Sequence, residues 1–241
     1  MLKPLIQEPL ARKELQELVY FLSHHLGYVP SKIPKLIFVK SAKKFAEIYE
    51  GYKVKNTERV DEINRECNVF FDHPTDTIVF AAYSYHEGKE IPVFVLPMVT
   101  MIHELIHFFQ YSTGTFGTYR ILYEGTNDLL AGFLVNDFKI DYKQEAVYAF
   151  NLIMEMNDHD FWRSLQWMRT WTLHSDKNRF IHRSMKQCPT FQKYNPKKLL
   201  TALDNNALST IENPDTQNVF RRYSLKRIIA ICQKNRNIIQ V

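Results

Sequence analysis

The run Val99-Thr100-Met101-Ile102-His103-Glu104-Leu105-Ile106-His107-Phe108-Phe109 decides how the rest of this chain is read. Two histidines four apart on a helix stand about 40° apart around its axis and one turn along it, so both imidazoles can reach one ion. Glu104 lies on the same general side, where its carboxylate can face a water on that ion. Pro97 suits the first turn of a helix, where a missing N–H costs nothing, and Thr113-Gly114 stand where the helix should stop. Positions 99, 102, 105, 106 and 109 are apolar and give the helix a face to bury. Glu104 is the one Asp, Glu, Lys or Arg between Pro97 and Arg120. A lone carboxylate in such surroundings is costly to bury unless something pairs with it. A metal and its water would do so.

Catalytic zinc keeps three protein ligands and leaves a further position open, so a third ligand is expected downstream. Tyr123-Glu124-Gly125-Thr126-Asn127-Asp128-Leu129-Leu130-Ala131-Gly132-Phe133 reads as a second helix. Glu124 and Asp128 are four apart on it and share a face. Leu129, Leu130 and Phe133 are available for packing. Glu124 can ligate the ion, and Asp128 can accept the ring N–H of a ligating histidine, which fixes its tautomer.

His103-Glu104-x-x-His107 followed by Glu124-x-x-x-Asp128 resembles the gluzincins, the thermolysin-like zinc metallopeptidases. The resemblance covers residues 70–133. It implies that His103, His107 and Glu124 bind Zn2+, that Glu104 is the general base, and that Asp128 braces a histidine, His103 first. Related patterns fit less well. The metzincin motif needs glycine at 110 and histidine at 113, where this chain has Gln110 and Thr113. The SprT-like proteases use a third nearby histidine, and none occurs between His107 and His159. Aspzincins use Gly-Thr-x-x-Asp, one residue longer than Gly125-Thr126-Asn127-Asp128, which keeps Asp128 open as a ligand in place of Glu124.

The upstream pattern is compatible. Leu36–Val39 reads as a short buried strand, residues 43–52 as a helix, and residues 68–71 and 77–81 as two further strands about the turn-forming stretch 72–76. The expected fold is α+β. The resemblance makes it zincin-like, with a small mixed sheet and the active helix in an upper lobe (residues 1–114). A mainly helical lower lobe (115–241) carries the third ligand, the two together forming one catalytic unit. By the same resemblance, Ile78 to Tyr85 would be an edge that pairs with an extended substrate. The second half reads as helical from Tyr142 onward, broken near Asp158, Ser175, Pro189 and Asn213-Pro214. Trp162, Trp167 and Trp171 stand close together, the last two four apart, and are expected in its core.

Composition sets the limits. A chain of 241 residues, 45% hydrophobic and 24% charged, is ordinary for a globular protein with a sizeable core. No run of about twenty apolar residues occurs, and Met1 to Glu8 lacks a signal peptide's apolar centre. Cys67, Cys188 and Cys232 are scattered and odd in number, which suits reduced thiols in the cytoplasm. Export as an effector stays compatible with the sequence. Formal charge is +5, with basic residues gathered toward the C-terminus. An amphipathic helix near 219–235 is expected to carry them as a solvated face, and nucleic acid is not expected as a partner.

The expected activity is hydrolysis of peptide bonds in a protein or peptide substrate, with Glu104 moving the proton. His174, His182 and Tyr142 are candidates for the donor that stabilises the oxyanion. The alternatives are a zinc-dependent amidase acting on a non-protein amide, or a non-catalytic zinc-containing interaction module. An intact Glu104 argues against the last, because a purely structural site has no use for a base.

Overall fold

The computed structural model describes residues 5–7, 11–86, 89–93, 95–114, 119–138 and 140–239. Most of the N-terminal stretch read for a signal peptide (residues 1–4 and 8) lies outside them. The fold is α+β, and the chain forms two compact units, Met1–Phe108 and Phe109–Val241.

In the first unit, β1 (Leu5–Gln7) precedes α1 (Ala11–Leu26). That helix buries Leu15, Leu18, Val19, Leu22 and Leu26, one stripe at helical spacing. β2 (Lys35–Val39), α2 (Ala42–Glu50), α3 (Thr57–Glu66), β3 (Val69–Asp72) and β4 (Thr77–Ala81) follow. Ser41 caps the start of α2 and Asn56 that of α3 through their side-chain oxygens. Gly51 ends α2 at φ 75°, a left-handed conformation that costs glycine little.

The three strands form a sheet in the order β2-β4-β3. β3 and β4 are an antiparallel hairpin about residues 73–76, whereas β2 runs parallel to β4 with Leu36 opposite Ile78. A parallel neighbour requires a crossover, and α2 with α3 supplies it. Their apolar sides, including Phe45, Val60 and Ile63, cluster with Val39, Val79 and Ala81 of the sheet.

This order corrects one expectation in part. Of the segment Ile78 to Tyr85, the residues as far as Ala81 are not a free edge: they belong to β4, the middle strand, hydrogen-bonded on both sides and buried throughout. The crossover that returns β2 beside β4 is what covers it. Past Ala82 the chain enters β5 (Tyr83–His86), which forms an antiparallel pair with β6 (Lys89–Pro92). β7 (Val95–Pro97) pairs with β1 and leads straight into α4 (Met98–Thr113).

The second unit is helical among its described residues. It takes in the last turn of α4, then α5 (Arg120–Val135), α6 (Lys143–Met156), α7 (Phe161–Leu173), α8 (Lys177–Gln187), α9 (Pro196–Asp204), α10 (Pro214–Val219) and α11 (Leu225–Ile239). The expected breaks near 158, 175, 189 and 213 all separate helices. The C-terminal amphipathic segment is divided, because residues 220–224 interrupt it between α10 and α11. Asn151 of α6 holds that interruption from both sides, accepting the Tyr223 N–H at 2.9 Å and donating to its carbonyl at 3.0 Å. α5 and α6 approach closely where Gly125 faces α6: a Cβ there would meet the Glu145 carbonyl oxygen at 2.4 Å. Trp167 and Trp171 are buried and stacked, their ring planes 5° apart, as expected of a core pair. Trp162, also expected in the core, is 41% exposed instead, because it shares the solvent face of α7 with Gln166 and Thr170. No helix among the described residues is long and apolar enough to cross a membrane.

Candidate metal centre

Helix α4 is buried on every side. Each residue from Met101 to Gln110 is shielded from solvent, where the sequence led one to expect a single apolar face. Helices enclosed all round are normally apolar all round; this one carries His103, Glu104, His107 and Gln110 inside. His103, Glu104 and His107 are only 6%, 6% and 8% exposed. Four polar side chains on one sheathed helix need polar neighbours or a ligand, since burial strips their water.

Glu124 answers for two of them. One donor atom from each of His103, His107 and Glu124 lies within 4.8 Å of the others, the one such group of three among the described residues. The imidazole rings sit edge to face with centroids 5.0 Å apart, as one-turn spacing dictates. A tetrahedral ion with bonds of about 2.0–2.2 Å holds its donors about 3.3–3.6 Å apart, a separation that falls within the 4.8 Å limit these three atoms meet. Two imidazoles and a carboxylate are also a donor set suited to a divalent first-row metal. The residues fit a metal.

Asp128 is buried one turn beyond Glu124, and its Oδ2 accepts the Tyr142 N–H at 2.8 Å. That bond ties α5 to the start of α6. It also gives Tyr142 a structural part as the residue before that helix.

Gln110 and Asn127 were not singled out together by the sequence, yet they form the next layer. Both are fully buried, and the Gln110 side-chain amide donates to Asn127 Oδ1 at 2.8 Å. Each stands three residues beyond a member of the cluster, Gln110 after His107 and Asn127 after Glu124. The pair therefore links α4 and α5 one turn past the donors. Lys177, fully buried at the start of α8, secures the end of α4: its Nζ donates to the carbonyls of Gln110 and His174, both at 2.9 Å. Burial pulls its pKa down from 10.5 to about 8.

The N-terminus of α5 is held by tertiary contacts. Tyr119, before its first turn, gives no side-chain cap. Asp204 at the end of α9 accepts the Ile121 N–H at 2.8 Å instead. Burial raises the Asp204 pKa, opposed by the backbone N–H groups it accepts. The Tyr119 hydroxyl meets His182 Nε2 of α8 at 2.8 Å. Desolvation lowers the His182 pKa. Of the three candidate oxyanion donors, His182 is thus engaged with Tyr119, and His174 accepts the Asp176 N–H at the end of α7. Tyr142 lies under the Arg120 guanidinium, 5.3 Å from ring centroid to Cζ. The structure singles out none of them for catalysis. Searched against family models, curated proteins and solved structures, the chain matches none of them.

Proposed function

We propose that this chain is a zinc metallopeptidase of gluzincin type, with a zincin-like arrangement of its α+β fold. The observation that supports it is the convergence of His103, His107 and Glu124 beside a buried Glu104. Zinc held by those three residues would supply Lewis acidity toward a water and the scissile carbonyl. Glu104 is the general base: its carboxylate accepts the proton of the attacking water and returns it to the leaving nitrogen. The nearly closed surroundings of Glu104 strengthen each electrostatic interaction it makes. Asp128 retains acceptor capacity after its bond to Tyr142, and is assigned to hold the ring N–H of His103.

A second reading draws on two observations. β4 offers no free edge for an extended peptide, and the histidines are almost enclosed. Both favour a compact non-protein amide as substrate for the same chemistry. Turnover of a quenched peptide library against a panel of small amides separates the two.

The primary test is metal content by elemental mass spectrometry. One zinc per chain is expected, lost in His107→Ala and Glu124→Ala, while Glu104→Gln keeps the metal and loses nearly all hydrolysis. A chain without zinc after reconstitution, or Glu104→Gln with substantial activity, overturns the reading.

A further inference from the structure

We propose that the surface formed by α8, the turn after it and the start of α9 recruits acidic segments of a protein substrate. This rests on the peptidase reading and names its substrate class. Residues 161–203 contain nine Lys or Arg against one acid, Asp176, a balance of +8 in a chain whose total is +5. Residues 204–241 add a further +3 and residues 1–160 carry −6, so the positive charge of the protein lies in its last third and is densest here.

The cations are arranged as well as numerous. Arg179, Arg183 and Lys186 are exposed at i, i+4 and i+7 on α8, one stripe on one face. Lys186 Nζ donates to the carbonyls of Gln192 and Tyr194, which draws the turn carrying Lys193 against that stripe. Lys197 stands close enough to His182 of α8 to disfavour its charged form. Lys197 and Lys198 are exposed in the first turn of α9, where the helix dipole favours anions rather than cations. Among the described residues none of these six forms an ion pair. Arg59, Arg120 and Arg222, by contrast, each reach a glutamate. Like charges crowded at a positive helix end raise the local potential and cost stability. An acidic partner would relieve both.

The position relates this surface to the candidate centre. His182 sits within the α8 stripe and contacts Tyr119, one and a half turns before Glu124 on α5, and α9 caps the same end of α5 through Asp204. A peptide is favoured over nucleic acid because this surface carries no exposed large aromatic side chain among its described residues on which bases could stack.

Binding to full-length Glu104→Gln protein, which cannot consume the probe, tests this without relying on catalysis. The probes are fluorescent twelve-residue peptides, one alternating Glu with Gly and one alternating Lys with Gly, and a twelve-nucleotide oligothymidylate. The Glu peptide is expected to bind at least tenfold more tightly than either of the others, and to weaken as salt rises. Arg183→Glu with Lys197→Glu and Lys198→Glu should reduce that binding at least tenfold, and the three glutamine replacements should reduce it less. The neutral set serves if charge reversal impairs folding. Equal binding of the two peptides, tighter binding of the oligonucleotide, or no effect of either set overturns the proposal. Zinc content measured on the same protein reports separately on the peptidase reading.

Discussion

At the scale of single residues, the candidate centre depends on side chains that would not touch the ion. Gln110 and Asn127 satisfy each other where neither meets solvent, one turn past His107 and Glu124. A buried amide left without its partner costs about 1–3 kcal/mol, whereas replacing both partners by apolar groups can be nearly neutral. Asn127→Leu should therefore destabilise the protein by roughly that amount, and adding Gln110→Leu should recover part of the loss. If the pair also sets the spacing of α4 and α5, zinc affinity should fall in both variants, including the partly restabilised one. Urea unfolding, with zinc competition against a chromophoric chelator, reads the two quantities separately. Unchanged affinity in the double variant would reduce the pair to a packing feature. Asp128→Asn is the complementary probe: an asparagine oxygen can still accept the Tyr142 N–H, so a fall in affinity of roughly 10–100-fold reports the lost carboxylate.

At the scale of elements, a side chain on one helix secures the end of another. Lys177 opens α8 and donates to the carbonyl of Gln110 on α4, and burial lowers its pKa from 10.5 to about 8. The sign follows from proton counting. Below pH 8 the ammonium is charged in both folded and unfolded chains, and the fold carries the full cost of desolvating it. Between pH 8 and 10.5 the unfolded chain binds more protons, so this group makes stability rise with pH, by roughly 3 kcal/mol over the window. Lys177→Met should lack that rise. Urea midpoints of both proteins from pH 7 to 10 give the difference, and parallel curves would refute it. The same elements show what sequence can disclose. α4, α5 and the breaks between later helices were legible because they rest on local signals: periodicity, Pro, Gly and capping residues. Strand order was not. Whether β4 is an edge depends on where the crossover through α2 and α3 returns the chain, and residues 77–81 read as the same apolar run in either case. The roles of Lys177 and Asn127 were hidden for the same reason, since a buried lysine and an asparagine between two carboxylates carry no pattern of their own.

At the scale of the whole molecule, the two helices that supply the donors differ in what surrounds them along the chain. α4 follows directly on β7, which pairs with the N-terminal β1. α5 is held by Asp204, Asp128 and the close face of α6. A metal bound by His103, His107 and Glu124 would join these two sets of constraints, and unfolding would have to break them together. Ligand that binds only the folded state adds RT ln(1 + [L]/Kd), about 4 kcal/mol at a thousandfold excess over Kd. For a chain of this size each kcal/mol moves Tm by roughly 2–4 °C. Zinc reconstitution should therefore raise Tm by on the order of ten degrees, and a chelator should reverse the change. His107→Ala and Glu124→Ala should unfold at a temperature insensitive to zinc, whereas Glu104→Gln should respond as the parent does, because it leaves the donor set whole. Calorimetric scans of the four proteins with and without metal make this comparison. A shift that survives in His107→Ala would place the stabilising ion elsewhere. Equal insensitivity in all four would mean that the three donors, though close, do not hold zinc in the folded protein.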